Sequence, residues 1–372
     1  MLLGSWLDRL QSSRHFRRAA MAFPLTRPIA RRRARDLFDL AGGFVYTQVL
    51  TACVQLDLPE LLRRGPATAE TLALPLGLAP DAARRLLDAA TALRITRHRG
   101  GGRYGLGPLG AALIDNAGVT AMIRHHALLY DDLRDPVALL RREAGATRLG
   151  RYWSYAGPGE AAALRESDVA PYSALMAESQ AMVAEQALAA YPLDGHRLLL
   201  DIGGGDGSFL IAAARRAPGL RLALFDLPAV VSLADARLAD AGLAGRTTTH
   251  GGDFQRDALP SGADLVSVVR VLHDHDDATV MALLRKIRAA LVPGGTLLIV
   301  EPMADTPGVA AMGGAYFGFY LLAMGRGMPR SAARLTRMLR DAGFTRCRTL
   351  PTHLPLVTQL ISARGSRNDP QL

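Results

Sequence analysis

Cysteine is nearly missing from this 372-residue chain: Cys53 and Cys347 stand far apart and show no ligand spacing. That leaves no basis for a disulfide framework or a zinc site and points to a reducing cytoplasm. No uninterrupted apolar run approaches the roughly twenty residues that span a bilayer. The N-terminus also lacks an h-region and a small-residue cleavage site, so no secretory signal is expected. Acids are scarce at the start. Residues 1–35 hold Asp8 alone against nine arginines, at 9, 14, 17, 18, 27, 31, 32, 33 and 35, so this arm carries +8 of the net +10 and the remainder only +2. Leu3, Trp6, Leu7 and Leu10 fall at helical spacing within it. Such a basic amphipathic segment suits an anionic membrane surface; a solvated arm packed on a dimer partner, or a transit peptide, are the alternatives.

What is present is organised around Leu198 to Phe209, LLLDIGGGDGSF. Apolar residues and an acid lead straight into glycines, and an apolar helical pattern follows. This reads as a buried strand, a tight turn and a helix start, the opening of an α/β nucleotide-binding unit. Glycines 203, 205 and 207 let backbone approach a ligand closely. Their spacing is Gly-x-Gly-x-Gly, not the Gly-x-Gly-x-x-Gly of a pyrophosphate site. Asp201 would repel a diphosphate but suits a ligand bearing an ammonium group, such as S-adenosylmethionine. The alternative is an ordinary strand–helix turn.

Before this stretch, the apolar pattern predicts a long helix from Asp36 to about Leu62 and short helices opening at Thr68 and Pro80. Ile95–Arg99 and Arg103–Leu106 then read as a hairpin, which completes a winged-helix order. Arg84 and Arg85 share their helix with Asp81 and Asp88, so phosphate contacts are poorly supplied and no nucleic-acid partner is expected. The module reads instead as a dimerisation or substrate-lid unit. Residues 119–195 read as mostly helical, with Tyr172, Leu175, Met176, Ser179, Met182 and Val183 along one helix face. Beyond the glycines, strands are expected at Leu220–Asp226, ending through Thr247–Phe254, at Ala263–Leu272 and at Thr296–Glu301. Helices capped at Asp276 or Asp277 and at Ser331 intervene, and two last strands lie near Thr345–Thr352 and Leu356–Ala363. The class is a doubly wound α/β sheet. The domain plan is a basic arm at 1–35, a winged-helix-like unit at 36–118, a catalytic unit at 119–364 and a disordered tail at 365–372.

Ligands of such sheets bind at the carboxyl ends of strands. Asp226, closing the second strand, stands where a ribose hydroxyl pair is held, or else caps the next helix. Asp253 and Phe254, after the third, suit an adenine amino group and ring, or else form a turn. His273 ends the fourth strand and is a candidate general base. Glu301 ends the fifth and is placed to orient that imidazole. A metal held by His273, His275 and nearby aspartates lacks defined ligand spacing, so none is expected.

The ordered set of motifs is Asp201-x-Gly-Gly-Gly-x-Gly207, Phe225-Asp-Leu-Pro228, Gly251-Gly-Asp-Phe254, Val271-Leu-His-Asp274, Pro293-Gly-Gly295 and Val300-Glu301. Behind a winged-helix module, it resembles the class I S-adenosylmethionine-dependent O-methyltransferases, in the subgroup of the caffeic acid and acetylserotonin enzymes. The likeness covers roughly residues 36–363. It implies a Rossmann-like seven-stranded methyltransferase sheet, S-adenosylmethionine as methyl donor and a homodimer formed through the N-terminal unit. It further implies His273 as the base with Glu301 supporting it. The cofactor contacts expected are Asp201, Gly203, Gly205, Asp226, Leu227, Asp253, Phe254 and Ser179. Two positions depart from the pattern. His275 stands where members acting on aromatic acceptors have Trp, and Pro329 replaces a second supporting glutamate before Arg330 and Ser331. Glu301 is therefore expected to be the sole acidic partner of His273.

More narrowly, Phe23-Pro-Leu-Thr-Arg27, Arg124-His-His126, the 273–277 run and Tyr316–Gly325 resemble the carotenoid O-methyltransferases of phototrophic bacteria. These methylate the C-1 tertiary hydroxyl of hydroxyneurosporene and demethylspheroidene. By this likeness Tyr172, Met176, Phe317, Tyr320 and Met324 would line an apolar channel, though core packing explains such residues equally well. A carotenoid acceptor and a cytoplasmic, peripherally membrane-bound enzyme are the resulting expectations. Methylation of another large apolar acceptor, such as a polyketide or tetrapyrrole, and a cofactor-sensing DNA-binding regulator are the rivals.

Overall fold

A computed structural model describes residues 8–153, 166–356 and 358–366. The chain divides into two compact units, Met1–Asn116 and Ala117–Leu372.

In the first unit, helices span Arg14–Ala22, Arg27–Gln55, Leu58–Arg63, Ala69–Leu76 and Pro80–Ala92. The long helix begins nine residues earlier than the apolar pattern suggested, because Pro28 in its first turn favours a start there. It also ends earlier, where Asp57 adopts a left-handed conformation and a separate short helix begins. Strands β1 (Ala67–Thr68), β2 (Thr96–Arg99) and β3 (Arg103–Leu106) form an antiparallel sheet in the order β1-β3-β2. Thr68 caps its helix by accepting from the Thr71 amide at 3.2 Å. Leu58, Leu62, Leu72, Leu87 and Ile95 form the core with Cys53 and Tyr104. Arg84 is ion-paired with Glu70, and Asp88 accepts from the Tyr104 hydroxyl at 2.6 Å.

Helix Arg27–Gln55 is long and apolar enough, by length and composition, to cross a membrane. Its apolar residues are interrupted by Tyr46, Thr47 and Gln48, which is why no unbroken run was visible. Leu40 is 80% and Phe44 72% exposed on it, and Leu37 and Phe38 are similarly open.

The second unit is built on seven strands: β4 (Leu198–Ile202), β5 (Arg221–Asp226), β6 (Thr247–Gly251), β7 (Ala263–Val269), β8 (Leu291–Glu301), β9 (Phe344–Leu350) and β10 (Gln359–Gly365). Their order is β6-β5-β4-β7-β8-β10-β9. The first five are parallel, and β10 runs antiparallel to both β8 and β9. Side chains alternate between two cores. Leu200, Ile202, Phe225, Val266, Val268 and Ile299 face helices Asp277–Ala290 and Ala332–Asp341. Leu199, Leu222, Leu224, Leu265, Leu298 and Val300 face helices Glu166–Ala190, Ser208–Arg216 and Pro228–Asp240. A parallel sheet covered on both faces needs such continuous apolar strands.

Several boundaries differ from expectation: β6 ends at Gly251 rather than Phe254, β7 ends at Val269 rather than Leu272, and β10 begins at Gln359 rather than Leu356. β8 starts at Leu291, so the strand runs through Pro293-Gly-Gly295 rather than after it; Gly295 makes this possible, since a Cβ there would lie 3.0 Å from the Val292 carbonyl oxygen. The last strand reaches Gly365, two residues past the predicted end, because Gly365 still pairs with Phe344. The tail beyond Ser366 lies outside the described residues.

Candidate active site

The strand order reverses at β4, which lies between β5 and β7, and ligands of open parallel sheets sit at the carboxyl end of that crossing. A cleft opens there. Of the residues marked in the sequence, Gly203, Gly205, Asp226, Leu227, Asp253, Phe254 and Met176 line it. Gly203 has φ +67°, and a Cβ on it would stand 2.5 Å from a Val271 methyl, so only glycine fits between strand and cleft. Asp226 accepts from the Gly205 amide at 2.8 Å and the Leu227 amide at 2.7 Å. Burial nevertheless pushes its carboxyl up to about 6. Lys286 donates to the carbonyls of Phe254 and Asp257 at 2.7 and 2.8 Å, which fixes the loop after β6.

Asp201 and Ser179, expected at the cofactor, do not line the cleft. Strand alternation turns Asp201 to the same side as Leu199, beneath the glycine turn, where it is 1% exposed. The Ser267 hydroxyl donates to its Oδ1 at 2.5 Å, its Oδ2 has no partner, and burial pushes the carboxyl up to about 7. Ser179 is buried and serves Arg270, accepting from its guanidinium at 2.7 Å. Arg270 also donates to the Met176 carbonyl at 3.0 Å and to Gln180. It lines the cleft with φ +56°, a conformation a non-glycine residue holds only when its surroundings enforce it.

His273 sits on a 3-10 turn, Leu272–Asp274, just beyond β7. Its Nε2 lies 3.1 Å from Asp274 Oδ1, an ion-pair distance without hydrogen-bond alignment, and its Nδ1 3.6 Å from Glu301 Oε1, longer than a hydrogen bond. Glu301 is therefore not the sole acidic partner: the tight turn folds the next residue's carboxylate back against the ring. Glu301 Oε1 accepts instead from the backbone amides of Leu272 and His273, the latter at 3.2 Å. Burial alone would lower the imidazole, but the Asp274 charge, and then Glu301, outweigh it, and the net shift is upward. Asp274, which lines the cleft, is pushed up to about 7 by burial. Among the described residues no group of His, Cys, Asp and Glu is arranged to hold a metal ion.

Arg330 holds this loop from behind. It is among the largest fully buried side chains, donating to the carbonyls of Leu272 and His275, each at 2.7 Å, and to Asp277 at 2.8 Å. Gly327 closes the loop's other flank, where a Cβ would meet the His273 carbonyl oxygen at 2.3 Å.

The expected channel residues separate. Phe317 stands edge-on to His273, ring centroids 6.0 Å apart. Tyr320 and Met324 are buried in a core with Leu129, Leu149 and Trp153, because helix Phe317–Met324 turns them inward. The Tyr172 side chain, like Leu3, Trp6 and Leu7, lies outside the described residues. Two residues of the 124–126 segment meet the 316–325 segment: His125 and Tyr320 bond at 2.9 Å, and His126 and Tyr316 at 2.7 Å.

The O-methyltransferase domain family matches residues 130–345, and the O-methyltransferase dimerisation domain matches 38–116. Demethylspheroidene O-methyltransferase of Cereibacter sphaeroides is 43% identical over 95% of this chain and 93% of its own. The chain belongs to the O-methyltransferase family. The enzyme of the same name from Rhodobacter capsulatus is 39% identical over 96% of this chain and 89% of its own. Human N-acetylserotonin methyltransferase, solved in complex with S-adenosylmethionine, superposes with TM-score 0.67 at 25% identity, over 90% of this chain and 98% of that one. The protein is an O-methyltransferase and its methyl donor is S-adenosylmethionine. The cleft fits that donor: glycines that admit no side chain, a carboxylate at the end of β5, and an acid followed by an aromatic ring after β6.

Missed in the sequence were Arg270, Asp274 and Arg330. Asp274 was in plain view beside His273, but only the 3-10 turn aims it. Replacing Arg330 with Met strands two buried carbonyls, which costs about 1–3 kcal/mol. We expect lower thermal stability in calorimetry together with reduced methyl transfer; an unchanged melting temperature would exclude its role as the loop's support.

Proposed function

We propose that this enzyme transfers the methyl group of S-adenosylmethionine to the C-1 tertiary hydroxyl of acyclic carotenoids, turning demethylspheroidene into spheroidene and hydroxyneurosporene into methoxyneurosporene. The names of the two bacterial relatives, similar over nearly the whole chain, support this acceptor. The observation that carries the chemistry is His273 set between two carboxylates at the end of β7, beside the glycine turn.

The donor supplies a methyl carbon made electrophilic by its sulfonium. Gly203 and Gly205 would let it approach the backbone, with Asp226 and Leu227 at the ribose and Asp253 and Phe254 at the adenine. Met176 lines the cleft and Phe317 stands edge-on to His273, and both offer apolar surface to the acceptor. A tertiary alcohol is far too weak an acid to ionise beforehand, so His273 takes the proton during or after attack. Asp274 at Nε2 then neutralises the imidazolium. Most of the acceleration comes from holding the reacting atoms in line in a dry site.

His273→Ala should keep S-adenosylhomocysteine binding and lose methyl transfer by about 10²–10⁴. The measurement is mass analysis of hydroxyneurosporene after incubation with labelled donor, and full turnover would remove His273 as the base. The base must be neutral, and Asp274 is the leading charge that raises its pKa. Activity therefore falls on the acid side, and Asp274→Asn should move that limb of kcat/KM to lower pH. A limb that stays or moves upward refutes the pairing.

The N-terminal unit is proposed to dimerise through the apolar stripe of Leu37, Phe38, Leu40 and Phe44. The preceding arm is proposed to rest on the cytoplasmic membrane surface, where the acceptor dissolves. Phe23, Leu25 and Ile29 are exposed among its arginines, each basic residue contributing about 1 kcal/mol near anionic lipid. The protein should sediment with phosphatidylglycerol-containing vesicles at low salt and not with pure phosphatidylcholine. Removing residues 1–35 should abolish sedimentation while sparing S-adenosylhomocysteine binding; equal sedimentation with both lipids counts against the arm.

A further inference from the structure

His275 is left over by this mechanism. It lines the cleft beside Asp253 and Phe254, and its ring meets Phe254 edge-on, centroids 5.1 Å apart at 85°. Its backbone is immobilised, since the His275 carbonyl accepts from the buried Arg330 at 2.7 Å. The imidazole is held neutral: burial above all, with Arg326 and His273 adding to it, lowers its pKa to about 3. A neutral imidazole has one donor nitrogen and one acceptor. Nδ1 is sealed from solvent with no partner. An unpaired buried acceptor is tolerated better than an unpaired buried N–H, which favours the proton on Nε2, the ring nitrogen not sealed in this way. The adjoining Asp253 carboxylate can only accept, and Phe254 offers a ring face. An acceptor-only acid, an aromatic ring and a rigid N–H donor together match a purine edge on which an exocyclic amine neighbours ring nitrogens with lone pairs.

We propose that His275 reads the adenine of the methyl donor, donating from Nε2 to the ring nitrogen, N1 or N7, beside the amine that Asp253 accepts. This rests on the adenine lying at Asp253 and Phe254. The imidazole thus adds a polar contact to the base pocket and acts on cofactor affinity rather than on the acceptor.

Calorimetric titration with S-adenosylhomocysteine and its 1-deaza and 7-deaza analogues tests this without turnover. His275→Phe keeps an aromatic ring against Phe254 and should bind S-adenosylhomocysteine about tenfold more weakly, the loss of one hydrogen bond. Wild-type protein should bind one deaza analogue about tenfold more weakly than the parent, and His275→Phe should bind that analogue no worse than wild type does. The proposal is overturned if His275→Phe binds the parent as tightly as wild type, or loses the same factor with all three ligands. Equal binding of all three by wild type overturns it too, whatever the variant's folding. A variant with unchanged nucleoside affinity but a raised KM for the carotenoid would instead assign His275 to the acceptor. Should wild type bind none of the three, the cofactor placement fails rather than the role of His275.

Discussion

The reversal of strand order at β4 is the constraint on which the site depends. The chain leaves β4 to lay β5 on one side and later β7 on the other, so helices covering the two faces part at its carboxyl end. Loops from four neighbouring strands converge on that gap, and helix Glu166–Ala190 borders it through Met176 and Gln180. The glycine turn, Asp226, the Asp253–Phe254 pair and the 270–275 loop are at one cleft for this reason, although they are separated by up to seventy residues of sequence. Gly203 follows from the same constraint, because β4 and the loop after β7 approach too closely for a Cβ.

The cost of this convergence is buried charge. Asp201, Asp226 and Asp274 are all pushed upward by burial, and each shift is a destabilisation of the native state at neutral pH relative to an exposed acid. A fold that gathers carboxylates where they are poorly solvated needs a compensating use for them. In the proposed placement, a cationic donor with hydroxyl and amino groups supplies one, replacing the lost water around Asp226 and Asp253. The orphaned atoms at Asp201 Oδ2, His273 Nδ1, Asp274 Oδ1 and His275 Nδ1 cluster around this end of the sheet, as unsatisfied buried groups do at working sites.

The sheet was legible because parallel strands buried on both faces have a strong apolar signature, and glycines, prolines and capping residues mark their ends. The place of Asp226 at the cleft follows from the same signature: a residue closing such a strand has one place to be. Chemical suitability alone does not give the side to which strand parity turns Asp201, which lies off the cleft wall. Tyr320 and Met324 pack in a core, and an all-apolar helix carries no periodicity to say which side is cavity and which is core. Arg330 was noted only as the neighbour of a missing glutamate. Nothing local marks an arginine whose partners are carbonyls more than fifty residues away.

For His273 as the proposed base, the surrounding contacts indicate what the chemistry asks of it. An alcohol holds its proton far more tightly than imidazole can compete for, so basicity is of little help until the oxygen has begun to bond to carbon. Placement then matters more than strength. The hydrogen bonds follow that priority: Glu301 accepts from the amides of Leu272 and His273 rather than from the ring, and Arg330 and Gly327 pin the loop on its other sides. With Pro329 at the position where the resemblance implies a second supporting acid, the contacts present in this chain are the ones that fix where the imidazole stands.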